Sequence, residues 1–222
     1  MSNYFRQVPD LEYVSRSKDA VLGEYSKVKN LFKRGKLRED IFQNLSFFNK
    51  YNIKGDDRPD NVANEVYGNP NLDWVVLICN NILNVQSEWP MSQQLFNEYV
   101  LNKYGDYNTL YNGIHHYETL EVKNSQGVVV LPAGLQVDSD YTLTFYDSET
   151  DAYEFKTDIV VAVTNYEYED RLETDKRTIF ILKPSYLNVV KDDLEEIMTY
   201  EKGSTQYVSG TLKRADNIRL FN

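Results

Sequence analysis

The chain has 222 residues, with 24 Lys and Arg against 34 Asp and Glu, for a formal charge of −10 at pH 7 and a pI near 4.8. Its length allows one large domain or two small ones, and 41% hydrophobic with 26% charged residues is the composition of a folded soluble chain. The acidity argues against a general nucleic-acid binder, the single cysteine (Cys79) excludes an internal disulfide or cysteine-cluster metal site, and the longest apolar runs, 74–79 and 159–163, are far too short to span a membrane.

Along the chain, residues 1–20 read as extended, with Pro9 disfavouring helix at Val8. Residues 21–46 read as short helix or loop. Residues 47–54 are aromatic and β-branched and read as a strand ended by Gly55-Asp56. Pro59 suits a first helical turn, with Asp57 or Arg58 at the cap. Val62, Ala63, Val66 and Tyr67 share one helical face, and Gly68 supplies a left-handed stop. A second short helix follows, with Asn69 as cap, Pro70 at its first position, Trp74, Val75, Leu77 and Ile78 as its apolar side, and Asn80-Asn81 as its end. A third helix is expected over 92–104, closed by Gly105.

From about 114 to 165 the period shifts from 3.6 to 2. Residues 116–123 and 127–131 read as strands around an Asn-Ser-Gln-Gly turn, 141–146 and 152–157 as a second hairpin, and 159–163 as a further strand. Residues 165–175 are polar and charged and read as an exposed arm or loop. Residues 178–182 read as a short strand. Ser185 is the expected cap of a final helix with the stripe Leu187, Val190, Leu194, Ile197 and Met198, ended by Gly203. The tail from 204 is polar and weakly patterned. The fold class is therefore α+β, divided as an extended or helical arm (1–46), a helical module (47–105), a β-rich region (106–183), and a final helix with its tail (184–222).

Catalytic signatures are weak. His115 and His116 are adjacent, so on a strand they would face opposite ways, and two histidines with no cysteine partner make a poor zinc site. Cys79 lies on an apolar helical face and reads as an inert buried thiol. No nucleophile elbow, phosphate-binding glycine loop or zinc-protease helix is present.

One signature is specific. It runs Tyr51-Asn-Ile-Lys-Gly55-Asp56-Asp-Arg-Pro59, then Ala63-Asn-Glu-Val-Tyr67-Gly68-Asn69-Pro70-Asn-Leu-Asp-Trp74-Val-Val-Leu-Ile-Cys-Asn80. Strand, Gly-Asp turn, short helix, Tyr-Gly-Asn-Pro and a Trp-led helix resemble the LysM module. The whole run over about 47–92 resembles the baseplate wedge protein 53 family of T-even-like contractile-tailed bacteriophages, and residues 183–198 are similar to that family's C-terminal helix. The resemblance implies a structural subunit of the virion's tail baseplate. It would be assembled in the host cytoplasm, bind other wedge subunits in a hetero-oligomer and help join adjacent wedges around the hub, with no catalysis and no cofactor. Tyr51, Tyr67 and Trp74 are then local core. An alternative is a LysM-type peptidoglycan- or carbohydrate-binding tail protein. Two departures weigh against glycan binding: Asp57-Arg58-Pro59 stands where Thr and an apolar residue are usual, and only residues 82–85 offer a second strand. Both fall at the loops with which LysM modules hold sugar.

Charge and aromatics supply candidate partner contacts. Residues 1–55 carry a net +5, residues 56–137 a net −7, residues 138–201 a net −11, and the last 21 a net +3. Basic ends flanking an acidic middle can pair with complementary surfaces. Eighteen tyrosines fit interfaces, because each joins an apolar ring to a polar tip. The candidate contacts are Lys33 and Arg34 in the basic N-terminal region, Tyr166, Tyr168 and Arg171 in the arm, and Lys213 and Arg214 in the tail over 213–221.

Overall fold

Residues 4–21 and 23–216 are described by the computed structural model, and they form an α+β fold. Two units build up along the chain: Met1–Trp89 together with Thr178–Asn222, and Pro90–Arg177. The second unit is thus inserted into the sequence of the first.

The first unit opens with helix α1 (Tyr4–Gln7) and strands β1 (Asp10–Val14) and β2 (Tyr25–Lys29). Helix α2 (Glu39–Phe42), strand β3 (Phe48–Asn52), helices α3 (Pro59–Tyr67) and α4 (Asp73–Cys79), and the single turn α5 (Val85–Glu88) follow. In the second unit come α6 (Gln93–Tyr104), α7 (Tyr107–Asn112), β4 (Ile114–Thr119), β5 (Val122–Lys123), β6 (Val129–Leu131) and β7 (Gln136–Val137). It closes with β8 (Leu143–Asp147), β9 (Ala152–Lys156), β10 (Val160–Thr164) and α8 (Asn165–Lys176). The chain then returns to the first unit through β11 (Thr178–Leu182), α9 (Leu187–Met198), β12 (Tyr207–Ser209) and β13 (Leu212–Arg214).

Both described ends of the chain are ordered in one sheet rather than extended free. Its strand order is β12-β13-β1-β2, with β1 parallel to β13 and antiparallel to β2. Opposite charges face each other across it. Asp10 pairs with Lys27 and Lys29 at 2.9 Å each, and Glu12 pairs with Arg214 at 2.6 Å. Much of the basic N-terminal cluster is thereby used within the fold. The period-2 signal in these short strands is masked by charged residues on the sheet's exposed faces. Residues 217–221 of the expected contact tail lie outside the described residues.

The core of the first unit collects Val62, Ala63, Val75, Val76 and Leu182, all essentially without exposure, with Ile53, Ile179, Ile181, Val190 and Leu194 around them. Burying each large aliphatic side chain contributes roughly 1.5–3 kcal/mol. The second unit has two smaller clusters, Phe96–Val100–Leu110 under its helices and Val122–Leu131–Ile159 under its hairpins.

Several local expectations are corrected. Residues 165–175 are not an arm but helix α8, started by a capping box. Thr164 Oγ1 accepts from the Glu167 N–H at 3.2 Å and Glu167 Oε2 from the Thr164 N–H at 3.0 Å. Ser185 does not cap the last helix. A 3-10 turn over Pro184–Tyr186 leads into α9, which ends at Met198 with Thr199 as its C-cap, before Gly203. Helix α9 is finished by Lys33, whose Nζ donates to the Ile197 and Thr199 carbonyls at 2.7 and 2.8 Å, satisfying acceptors the helix leaves open. Among the described residues no helix is long and apolar enough to cross a membrane.

Candidate functional site

The signature residues build a strand-helix-helix-strand module. Gly55 adopts φ +51° where β3 turns toward α3, and the Asp57 N–H closes that turn on the Lys54 carbonyl at 3.0 Å. Asp56 is exposed at its tip. Arg58 is the extended N-cap residue and Pro59 the first helical residue, where a missing N–H costs nothing. Ala63 is fully buried, so α3 approaches its neighbours closely. Gly68 ends the helix at φ +67°, donating to the Asn64 carbonyl at 2.9 Å. Asn69 caps the next turn through the Asn71 N–H at 3.1 Å, Pro70 follows, and α4 then carries the buried Trp74.

The second strand of the module is β11. It pairs antiparallel with β3, Ile179 opposite Tyr51 and Leu182 opposite Phe48. Residues 82–85, expected to supply that strand, do not. Asn81 turns the chain at φ +53° and Val85 begins the short helix α5. Two side chains tie the helices to β11. Tyr67 Oη donates to the Leu182 carbonyl at 2.9 Å, and burial pushes its phenol above the ordinary range. Asn80 Nδ2 donates to the Val76 and Phe180 carbonyls at 2.8 and 2.9 Å, while its Oδ1 accepts from the Phe180 N–H at 2.8 Å.

Tyr51 donates to Glu65 at 2.7 Å, and burial, with Glu65 beside it, pushes its phenol up to about 12. Lys54 meets the same carboxylate at 2.5 Å, which lowers the Glu65 pKa. Trp89 is buried, and its Nε1 donates to the Asp57 carbonyl at 2.9 Å. The chain's own indole therefore sits on the turn between β3 and α3.

Each expected partner-contact residue has an intramolecular neighbour. Lys33 lies over the Tyr200 ring at 4.9 Å besides capping α9, and Arg34 reaches Asn81 at 3.3 Å. Lys213 lies over the same Tyr200 ring at 4.9 Å, and Arg214 lies over Tyr25 at 5.0 Å in addition to its pair with Glu12. Tyr166 packs against Phe96 and Tyr111, Tyr168 stacks on His115 at 3.8 Å, and Arg171 clasps both Glu118 oxygens at 2.9 and 2.7 Å. The structure thus brings Tyr168 and Arg171 together on α8 beside β4, and sets Lys33 and Lys213 over one ring.

His115 and His116 do not face opposite ways. Strand β4 bulges there, Val163 pairing with His116 and Thr164 with Ile114, so His115 is an extra residue. The two Nδ1 atoms lie 2.9 Å apart, and His116 Nε2 is 2.9 Å from Glu118. Among the described residues no group of three or more His, Cys, Asp or Glu is placed to hold a metal ion. Cys79 is buried, and burial pushes its thiol up to about 12.

Sequence reasoning missed Asp147, a fully buried carboxylate. It accepts from the Ser125 N–H, the Ser125 hydroxyl and the Glu149 N–H, each at 3.0 Å, and these bonds hold it below the ordinary carboxylate range. Only the spatial meeting of two turns makes it visible. Helix α8 did carry a local signal, the Thr164-x-x-Glu167 capping pattern.

The family model described as base plate wedge protein 53 matches residues 5–199. Baseplate wedge protein gp53 of Enterobacteria phage T4 is 30% identical over 185 residues, a match covering 74% of this chain and 86% of that protein.

Proposed function

Because the chain belongs to the base plate wedge protein 53 family, we propose that it is a structural subunit of a phage tail baseplate wedge, which binds other wedge subunits and helps join adjacent wedges around the hub. It acts by presenting surfaces and performs no catalysis. Its place is the virion's tail baseplate, with assembly in the host cytoplasm.

The observation that carries this reading is the use made of the strand-helix-helix-strand module. A sugar-binding module of this kind needs open loops beside its helices. Here Trp89 closes the β3–α3 turn through Asp57, and the chain beyond α4 leads into an 88-residue insertion before the second strand returns. The module is used as a packing core, with β11, from beyond the insertion in sequence, as its second strand. Its partner is protein, in a hetero-oligomer, and glycan binding has no part in it.

Co-expression of the chain with the other baseplate proteins of its phage tests this. The chain should co-purify in a defined complex and stay in the supernatant when mixed at micromolar concentration with purified peptidoglycan sacculi. Sedimentation with sacculi and no protein complex would sink the reading.

A further inference from the structure

Strands β8 and β9 form a hairpin whose two faces differ. Leu143 and Phe145 point inward and pack on the Val122–Leu131–Ile159 cluster. The opposite face carries Thr144, Tyr146, Tyr153 and Phe155, with Thr144 across from Phe155 and Tyr146 across from Tyr153. Tyr146 is 51% exposed, Tyr153 78% and Phe155 63%. The Tyr146 and Tyr153 rings meet edge to face, centroids 5.4 Å apart. Strand pairing accounts for the Tyr146–Tyr153 contact but not for the exposure of Tyr153 and Phe155, since threonine opposite Thr144 would also suit a strand. Three large aromatics exposed on one face of a hairpin are the composition of a binding hot spot, not of ordinary solvated surface.

The charge around the face indicates what covers it. The unit Pro90–Arg177 holds 16 acidic and 6 basic residues, a net of −10, while the rest of the chain balances at 18 of each. The whole formal charge of the protein is therefore concentrated in the unit that bears the aromatic face. The hairpin turn adds Glu149 and Asp151, both exposed, and Tyr146 Oη donates to Asp151. Aromatic faces beside carboxylates favour guanidinium and ammonium groups, which stack on the ring while pairing with the acid.

We propose that the outer face of the β8–β9 hairpin is the site at which a basic, arginine- or lysine-bearing surface of another baseplate protein docks. The proposal rests on the subunit function above and assigns it to a surface. Tyr153 and Phe155 are the anchors, Tyr146 braces Tyr153, and the acidic unit steers the partner in. Association is then salt-sensitive.

The test is co-expression of the full chain, wild type or Tyr153→Ser/Phe155→Ser, with the other baseplate proteins, together with Glu149→Lys as a charge probe. The double variant should keep the wild-type circular dichroism and retain at least tenfold less partner. Glu149→Lys should weaken capture and blunt its dependence on salt. Oxidative footprinting of the wild-type complex, which needs no variant to fold, should show Tyr146, Tyr153 and Phe155 protected. Equal capture by the double variant, or unchanged labelling of the three rings, overturns the assignment and leaves the subunit function standing. Absence of any wild-type complex overturns both. Self-association of the lone chain, or binding to sacculi, that the double substitution abolishes gives the face to a second copy or to glycan, and overturns the proposal too.

Discussion

Asn80 and Phe180, 100 residues apart, are joined as if they were neighbours in a sheet. The carboxamide of Asn80 accepts the Phe180 N–H at 2.8 Å and donates to its carbonyl at 2.9 Å, while also holding the Val76 carbonyl of α4. A single side chain thus stands in for a strand on the free edge of β11 and ties the returning chain to the helix that preceded the insertion. Unpaired edge groups would otherwise be open to another strand.

Replacing Asn80 by Ala should therefore cost about 2–4 kcal/mol, because a donor and an acceptor of β11 lose their partner in a part-buried place. Trp74 and Trp89 are the two tryptophans of the chain, and both lie in this unit, so urea unfolding followed by indole fluorescence reports it directly. A loss below about 0.5 kcal/mol would show that water replaces the carboxamide.

Trp89 separates packing from hydrogen bonding. Trp89→Phe keeps most of the apolar contact and removes the Nε1–H donated to Asp57, for about 1 kcal/mol. Trp89→Ala should cost about 3–5 kcal/mol, as large-to-small changes in a core do. Differential scanning calorimetry of the two variants checks the order. Equal losses would mean that the indole N–H, not the ring, holds the β3–α3 turn.

Asp147 makes the inserted unit acid-sensitive. Its carboxyl is held below the ordinary 3.8 by the Ser125 N–H first, then by the Glu149 N–H and the Ser125 hydroxyl. A depressed carboxyl stabilises the fold fully above its unfolded value and loses that contribution as pH falls through the folded one. Amide protection over 122–131 and 143–156, taken relative to the intrinsic exchange rate at each pH, should therefore fall only when the pH drops below about 3.8. Asp147→Asn should exchange faster at neutral pH and lose part of the acid dependence. Glu118, held down chiefly by Arg171, and Asp106, held down chiefly by the Thr109 N–H, contribute to the remainder. An unchanged acid profile would remove Asp147 from this role.

Cys79 should be silent toward thiol reagents in the native chain. Burial pushes its thiol up to about 12, so almost no thiolate exists at neutral pH and the reagent has no path to it. Labelling should rise together with the loss of indole fluorescence on urea titration. Rapid labelling without urea would show that α4 opens on its own.

The sequence by itself determined the elements whose cause lies within a few residues. Pro59 and Gly68 bracket α3, Asn69-Pro70 opens the next turn, and Thr178–Leu182 is a strand on composition alone. It also carried the family, because the run from Tyr51 to Asn80 contains the module's turns and core together. Pairing was not legible. Nothing local says that β3 takes β11 rather than the nearer residues 82–85, since backbone ladders carry no address and the choice is made by burying Ile179, Ile181 and Leu182 in the shared core. The same holds for the charged residues. Lys33, Tyr168 and Arg171 look like free surface along the chain, and only the tertiary structure supplies the helix end, the imidazole and the carboxylate that they meet. The tyrosine excess divides in the same way: Tyr51 and Tyr67 are spent inside the module, whereas Tyr146 and Tyr153 are left outside by a hairpin that buries only its other face.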